Sequence, residues 1–468
     1  MSKQNGEVRP FGMRDKIGYM FGDVANDFTF IFASSYVLVF YTKVMGVSSA
    51  MVGTMFLVAR CVDAFTDIGM GRIVDNSKPG KKGRIRPWIL RMCGFCALAS
   101  FMMYQSFLVN AAYSLKVVYM FVTYLLWGSI FYTSCNIPYG SLASVISDNP
   151  KDRSSLSVFR SLGGIIAGIM IGVIAPMVVY YTDAEGNQVV SATNFSIIAG
   201  VFAIAAVISY LICYSLTVER VPYVPKPKEQ NSSVGKVLKT MFTSRSLLGL
   251  IASALLMLLA SLMSQGINTY LFADYFKNTT ALSVFSMLSL PVAIILAAVS
   301  TKLAMKFGKK ECGAVGMFAS GIMYFIAGIL HIENVWVFIG VIFVAMLGMY
   351  FFSMQCYALV TDVIDDLEVK TGSRDDGTIY GVYSFSRKIG QALAGGLSGW
   401  ALAFIGYDEL AAGQTTAVAN GIYNLSTFFP ACIYLACGLV LLLIYPLNKK
   451  RVEANVAELT RRKEGRME

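Results

Sequence analysis

The chain has 468 residues, of which 56% are hydrophobic and only 14% are charged, and its formal net charge is +11. An ordinary soluble domain carries about 25% charged residues, and a soluble chain of this length would need several domains joined by polar linkers. Instead, apolar runs of about 20 residues recur along almost the whole chain, each long enough to cross a bilayer as a helix. The composition therefore excludes a soluble protein.

About twelve apolar runs are predicted to span the membrane as helices, because open strand edges in lipid would leave backbone groups unpaired. In chain order they are centred near residues 30, 60, 98, 128, 168, 205, 258, 292, 320, 348, 392 and 434. The first 16 residues are polar and charged and the first run carries acids, so no cleavable signal peptide is expected. The predicted fold class is an all-α membrane protein of about twelve transmembrane helices in two pseudo-symmetric halves of about six.

The basic residues are distributed unevenly. Most of the 39 Lys and Arg lie at the amino end, in alternate loops and in the carboxyl tail, whereas Lys43, Lys116 and Lys277 lie in the other loops. The positive-inside rule then predicts a multi-pass protein of the plasma (inner) membrane with both termini cytoplasmic. The basic excess reflects topology and contact with the lipid bilayer, so no nucleic-acid partner is expected.

One central segment has the composition of a linker, with a Pro-rich, basic run that begins at Val221. It divides the chain into two halves with about six runs each, which indicates an internal duplication. The predicted domains are an N-terminal six-helix bundle (1–217), a cytoplasmic linker (218–245), a C-terminal six-helix bundle (246–447) and a cytoplasmic tail (448–468).

A repeat within the sequence supports this division. The segment Y-G-S-L-A-S-V-I-S-D from Tyr139 aligns with Y-A-L-V-T-D-V-I-D-D from Tyr357. Further on, Arg160 and the small residues after it align with Arg387 and the small residues after it at the same spacings. Some secondary transporters consist of two halves related as parallel repeats, and they bind substrate near the bilayer midplane between the halves.

Charged residues inside the apolar runs are the clearest functional signal, since each costs roughly 2.5–3.5 kcal/mol at a helix centre. Acids and bases occur in equal number, at Asp23, Asp27, Arg60, Asp63, Asp67, Arg160, Arg387 and Lys388. Interhelical salt bridges would explain them structurally, but a buried pair is a weak source of stability. We therefore predict functional roles for most of them, and place Asp23, Arg60 and Arg387 in a coupling or charge network.

The residue types suggest two kinds of site. Asp63 and Asp67 lie one helical turn apart with the Thr66 hydroxyl nearby, which suits a hard cation or a shared proton. Asp27 and Arg160 suit a polyhydroxyl ligand, because a carboxylate accepts from hydroxyls and a guanidinium donates a fork. Three tyrosines in nearby runs have faces that would stack on a sugar ring, although packing explains each one alone: Tyr132, Tyr380 and Tyr383.

Four motifs carry a family resemblance. They are G-D-V-A-N-D-F from Gly22, R-C-V-D-A-F-T-D from Arg60, N-I-P-Y-G-S-L-A from Asn136 and S-F-S-R-K-I-G-Q-A from Ser384. The chain resembles the glycoside–pentoside–hexuronide:cation symporter family, within the major facilitator superfamily, over essentially its whole length. It looks closer to the glucuronide and xyloside carriers of that family than to the melibiose carrier.

The resemblance implies roles for individual residues. The implied cation site consists of Asp63, Thr66, Asp67 and Thr133, with Asp63 and Asp67 as metal ligands if the cation is Na⁺. The implied substrate site consists of Asp27, Tyr132, Asn136, Arg160, Tyr383, Ser384 and Lys388, with Lys388 also bridging toward the cation acids. Two departures, Asn136 in place of an Asp and Gly140 in place of a Trp, argue against a melibiose-like galactoside.

The sequence therefore predicts a symporter that imports a sugar or glycoside, glucuronide- or xyloside-like, with Na⁺ or H⁺. Two alternatives stay open, a lysolipid carrier of the same superfamily and a non-transporting sugar sensor. No Walker-type phosphate loop and no Ser–His–Asp set is present, so an enzyme is not expected. No cofactor is expected beyond the co-transported cation.

Overall fold

A computed structural model describes residues 9–77, 80, 83–221, 244–372, 376–411 and 413–464 of the chain. Every predicted apolar run is centred in a helix. The chain divides into two compact units, the first comprising Met1–Lys226 with Leu282–Ser286 and Tyr407–Gly413, and the second comprising the remaining residues. The predicted domain boundaries stay predictions, since most of the linker lies outside the described residues.

Between residues 9 and 221, the described part of the first unit contains seven α-helices and one short hairpin. The helices are α1 (Met13–Val39), α2 (Ser49–Asn76), α3 (Arg86–Met102), α4 (Tyr113–Leu125), α5 (Thr133–Ile146), α6 (Pro150–Val179) and α7 (Ala192–Leu216). The hairpin pairs β1 (Tyr180–Thr182) antiparallel with β2 (Gln188–Val190), with Tyr180 opposite Val190. A π-helical segment, Leu126–Tyr132, joins α4 to α5, so that the three form one continuous span.

From residue 245 onward, the described chain again forms a series of helices, as the first half does. They are α8 (Arg245–Tyr270), α9 (Thr279–Met287), α10 (Ser289–Phe307), α11 (Lys309–Leu330), α12 (Val335–Thr371), α13 (Asp376–Phe404), α14 (Thr416–Leu439) and α15 (Lys449–Glu464). Helices α1 and α8, the first long helices of the two halves, each continue into a five-residue π-helix, Phe40–Val44 and Leu271–Tyr275. This shared feature fits the repeat seen in the sequence.

Among the described residues, ten helical stretches are long and apolar enough to cross a membrane by length and composition. The predicted runs near residues 98 and 392 are helical but are not among those ten. Helix α3 has 17 residues, somewhat fewer than the ~20 that a span needs. Helix α13 has 29 residues and carries Arg387 and Lys388 within its apolar stretch.

Local sequence sets where many helices begin and end. Side chains at several N-caps accept hydrogen bonds from the first turn, as Asn149 does before Pro150 in α6 and Asn334 does for α12. Gly308, at φ +105°, separates α10 from α11, and Gly372, at φ +72°, ends α12. Glycine adopts these left-handed conformations without a Cβ penalty, which makes it suited to both breaks.

The core of the first unit surrounds α1, which packs against α6 and α7. Its rings at Phe28 and Phe32 contact Phe202 of α7, at centroid distances of 5.6 and 5.2 Å. The Asn26 side chain is also structural, since its amide donates to the Gly22 carbonyl at 2.8 Å and its oxygen accepts from the Tyr210 hydroxyl at 2.9 Å. These contacts fix α1 in the middle of the bundle.

Helix α15 is held to the second unit through Asp366, a buried residue near the end of α12. The Asp366 carboxylate lies 2.5 Å from the Lys370 ammonium and 3.5 Å from the Arg451 guanidinium of α15, and accepts from Ser246 at 2.8 Å. Asn455 of α15 also donates to it, at 3.4 Å. Burial alone would raise the pKa of Asp366, but the hydrogen bonds from Lys370 and Ser246 outweigh it and hold that pKa below its usual value.

Candidate functional site

Two glycines let α6 approach α1 closely beside the predicted substrate acids. A Cβ on Gly163 would lie 2.5 Å from the Met20 carbonyl oxygen, and a Cβ on Gly164 would lie 2.8 Å from Asp27 Oδ2. Neither distance allows a side chain without movement of the neighbour. The two glycines therefore fix how near α6 comes to Asp23 and Asp27.

Arg160 of α6 is held by a carboxylate and by an aromatic ring. Its Nε donates to Asp23 Oδ1 at 2.9 Å, and its guanidinium lies 5.2 Å from the centre of the Tyr139 ring. The Tyr139 hydroxyl donates to the Tyr19 carbonyl at 2.8 Å, and the two rings stack at 4.6 Å. The Arg160 side chain remains 43% exposed. Asp23 and Tyr139 thus fix its guanidinium while leaving the two Nη groups without a hydrogen bond to any described residue.

Asp27 of α1 and Asn136 of α5 are two further polar residues of the first unit that were predicted to bind substrate. Both are half-buried, and neither forms a hydrogen bond or an ion pair with any described residue. The ion-pair partner of Arg160 is Asp23, one turn before Asp27 on α1. Asp27 is thereby left as an acceptor and Asn136 as both donor and acceptor.

A second polar cluster forms where α2 meets the π-helical segment. Asp63 is buried, and both of its oxygens are used. Oδ1 accepts from the Ser129 hydroxyl at 2.5 Å, and Oδ2 accepts from Arg60 Nη1 at 2.9 Å. The Arg60 guanidinium also lies 5.7 Å from the centre of the Phe30 ring. The charge at Asp63 is therefore balanced by a base on its own helix.

Asp67, one turn further along α2, faces the start of α5. Its Oδ1 accepts from the Thr133 hydroxyl at 2.9 Å. The Thr133 backbone N–H donates to the Gly128 carbonyl, the i→i+5 bond of a π-helix. Ser129 and Thr133, four residues apart, are thus paired with Asp63 and Asp67, which are also four apart. We call these four residues the hydroxyl–carboxylate ladder.

Two further predicted residues, Thr66 and Tyr132, contact other groups in the first unit, and their predicted binding roles stay predictions. The Thr66 hydroxyl donates to carbonyls of its own helix, at Val62 and Asp63, both at 3.3 Å, and not to a carboxylate. The Tyr132 ring stacks on Phe30 at 5.8 Å and lies 5.5 Å from Trp127, so it takes part in aromatic packing.

Within the described ranges, no three His, Cys, Asp or Glu side chains gather as a metal site. The ladder offers a cation two carboxylates and two hydroxyls as oxygen ligands.

The predicted residues of α13 belong to the second unit. Tyr383 is buried, and the Arg387 guanidinium lies 6.0 Å from the centre of its ring. Lys388 is half-buried. The side chains of Ser384 and Tyr380 lie outside the described residues. The predicted approach of Lys388 to the cation acids stays a prediction.

Sequence reasoning missed Ser129 as a partner of Asp63 and Tyr139 as a partner of Arg160. A signal for Ser129 was present, because it precedes Thr133 by the same four residues that separate Asp63 from Asp67. No comparable signal pointed to Tyr139, since tyrosines are common in this chain and the sequence does not show which face of α5 meets α6.

Comparison with known proteins adds independent evidence. Residues 18–449 match the model of the family described as MFS/sugar transport protein. The chain is 30% identical to the uncharacterized symporter YjmB of Bacillus subtilis (strain 168), over 96% of this chain and 95% of that protein. It is also 30% identical to the glucuronide carrier protein homolog of Escherichia coli (strain K12), over 96% of each. The crystal structure of a D-xylose-proton symporter has the same fold, with a TM-score of 0.64 at 14% identity, over 93% of this chain and 98% of that chain.

Proposed function

Because this chain belongs to the MFS/sugar transport protein family, we propose that it is a secondary active symporter that imports a sugar or glycoside together with a monovalent cation. The cation is Na⁺ or H⁺, and the substrate is glucuronide- or xyloside-like. The full-length similarity to a glucuronide carrier homolog supports a glycoside substrate. The similarity to a relative named as a symporter supports cation coupling.

The observation that carries the proposal is the hydroxyl–carboxylate ladder between α2 and the α4–α5 span. Two acids in a helix of a membrane span are costly unless they bind something or are paired. Here Asp63 and Asp67 are each bonded to a hydroxyl from the neighbouring span. Carboxylate and hydroxyl oxygens suit a hard monovalent cation, and a carboxylate alone suits a proton.

The sugar would bind at the polar groups of α1, α5 and α6. Asp27 accepts from two neighbouring hydroxyls, Asn136 both donates and accepts, and the Nη groups of Arg160 donate to ring or glycosidic oxygens. Asp23 and Tyr139 hold Arg160 in place for this contact. Roles in substrate binding are proposed for Tyr383, Ser384 and Lys388 of α13 on the family resemblance alone.

Coupling would begin at Asp63. The Arg60 guanidinium occupies Oδ2 of that carboxylate in this structure, so an incoming cation competes with an internal positive charge. Cation binding would release Arg60 and change the electrostatic field acting on the charged residues of α1 and α6. By linkage, the cation must raise sugar affinity by the same factor that the sugar raises cation affinity.

The charge distribution supports a plasma (inner) membrane protein with cytoplasmic termini, in contact with lipid and with no nucleic-acid partner. The cation is cargo rather than a resident cofactor, and no enzymatic step is proposed.

The decisive experiment measures binding of a nitrophenyl glycoside panel to the purified protein, with and without Na⁺, at two pH values. One glycoside that binds more tightly with Na⁺ would identify a sodium symporter and its sugar class. Tightening on acidification alone would identify a proton symporter.

Uptake of the bound glycoside into proteoliposomes, driven by an imposed cation gradient, then separates a transporter from a sugar sensor, which binds but does not transport. If no glycoside binds under any of these conditions, the sugar assignment is wrong and lysolipid transport becomes the function to assay.

A further inference from the structure

Ser129 is a buried hydroxyl that the family resemblance does not assign to the cation site. It lies in the π-helical segment Leu126–Tyr132 and is 2% exposed, beside Asp63 at 8% and Thr133 at 4%. We propose that Ser129 is a further ligand of the co-transported cation and makes the ladder accept Na⁺ as well as H⁺. This inference rests on the proposed function.

The chemistry of the hydroxyl supports the assignment. A serine hydroxyl has one hydrogen to donate and two lone pairs that accept. Ser129 spends its hydrogen on Asp63 Oδ1 at 2.5 Å, so its lone pairs remain available to a cation beside that carboxylate. The Thr133 hydroxyl donates to Asp67 Oδ1 at 2.9 Å, with the Gly128 carbonyl as a second acceptor at 3.2 Å, and its lone pairs likewise remain available. A Na⁺ ion bound at the ladder therefore gains two neutral oxygen ligands in addition to the carboxylates.

The backbone supports the same assignment. π-helical turns are rare, cost hydrogen-bond geometry and occur frequently at functional sites. This one begins three residues before Ser129 and ends immediately before Thr133. Its i→i+5 bond from Thr133 to Gly128 spans the ladder's hydroxyl side. The wide turn brings both hydroxyls to the side of the span that faces the acids of α2.

A proton and a metal ion make different demands on this cluster. A proton needs one carboxylate oxygen, whereas a hard metal ion needs several oxygen ligands at once. Loss of the Ser129 hydroxyl should therefore weaken Na⁺ binding without abolishing proton binding, because both carboxylates are kept. A hydroxyl that only tied the α4–α5 span to α2 would affect both cations alike, or neither.

The test uses Ser129→Cys in the purified full-length protein, because the thiol is close to the hydroxyl in size but is a poor ligand for hard cations. Na⁺ is titrated calorimetrically without sugar, and the pH dependence of glycoside binding is measured separately. The expected result is Na⁺ affinity roughly tenfold or more weaker, the size of effect seen when ligand-supporting groups are removed, with pH-dependent glycoside binding retained. Ser129→Thr, which restores a hydroxyl, should recover Na⁺ binding.

Ser141→Ala is the matched control, since that hydroxyl lies in the same continuous span and donates to the Ile137 carbonyl of its own helix at 3.0 Å. It should leave Na⁺ affinity unchanged. The inference is overturned if wild-type protein binds no Na⁺, if Ser129→Cys keeps wild-type Na⁺ affinity, or if Na⁺ and proton effects are lost together.

Because the Na⁺ titration contains no sugar, the two proposals fail separately. Selective loss of Na⁺ binding in a protein that binds no glycoside would support the cation ligand and reject the sugar symporter. Glycoside binding that depends on pH but not on Na⁺ would support the sugar symporter and reject Ser129 as a Na⁺ ligand.

Discussion

Gly164 offers a way to disturb the proposed substrate acid without disturbing the fold. A Cβ at this position would lie 2.8 Å from Asp27 Oδ2 and 3.4 Å from Asp23 Oδ2. Both atoms are the far ends of side chains, so Gly164→Ala is accommodated by rotating the Asp27 carboxylate away. If Asp27 binds the sugar, the variant loses one charge-assisted hydrogen bond, worth about 1.5–3 kcal/mol. Glycoside affinity should therefore fall by roughly tenfold to a hundredfold.

Two neighbouring glycines on α6 supply matched controls. A Cβ on Gly163 would lie 2.5 Å from the Met20 carbonyl, and that backbone atom cannot rotate away. Gly163→Ala should therefore separate α6 from α1 and lower stability by about 1–3 kcal/mol, the usual cost of overpacking. A Cβ on Gly168 would meet Ile31 at 3.7 Å, an ordinary contact. Gly168→Ala should leave both stability and binding unchanged.

The assay is glycoside binding to purified variants by calorimetry, with thermal unfolding measured on the same samples. The reasoning predicts that Gly164→Ala loses affinity at nearly wild-type unfolding temperature, whereas Gly163→Ala loses stability. Wild-type affinity in Gly164→Ala would refute the placement of Asp27 in the substrate site. Equal losses of stability in Gly163→Ala and Gly164→Ala would refute the distinction between backbone and side-chain contacts.

Three further predictions follow from other contacts. Tyr139→Leu removes the ring beneath Arg160 and should weaken glycoside binding several-fold, in line with a cation–π contact worth about 0.5–2 kcal/mol. Tyr139→Phe keeps the ring and should retain most of the affinity, so equal losses in both variants would contradict this role of the ring. Arg60→Gln removes the charge that competes for Asp63 and should tighten Na⁺ binding measured without sugar, whereas weaker binding would make Arg60 a supporting group. Asp366→Asn should expose α15 to proteolysis at neutral pH. Because the pKa of Asp366 is lowered in the folded protein, its carboxylate stabilises the docked α15 at pH values above the unfolded pKa of about 3.9. This stabilisation is lost as the pH falls through the folded pKa, so the variant and wild type should converge in strong acid. A wild-type cleavage pattern at neutral pH would contradict the docking role.

Much of the fold was determined by the sequence alone. Apolar runs of span length require helices in a bilayer, because the backbone must satisfy its own hydrogen bonds there. The positions of the helices and the membership of the family follow from these runs and from motifs such as that beginning at Gly22. Helical periodicity also determined that Asp63 and Asp67 share a face of α2.

Partners across helices were decided only by the tertiary structure. Asp23 and Arg160 are separated by 137 residues, and Asp63 and Ser129 by 66. Spacing along one helix shows which residues share a face, but it does not show which face of another helix meets it. The π-helical turn at Leu126–Tyr132 also shifts which residues of the span face α2, and the almost uniformly apolar sequence of this segment does not reveal that shift. Sequence could therefore select the charged residues, whereas helix packing, limited by glycines such as Gly163 and Gly164, decided that Arg160 takes Asp23 and that Asp27 stays available.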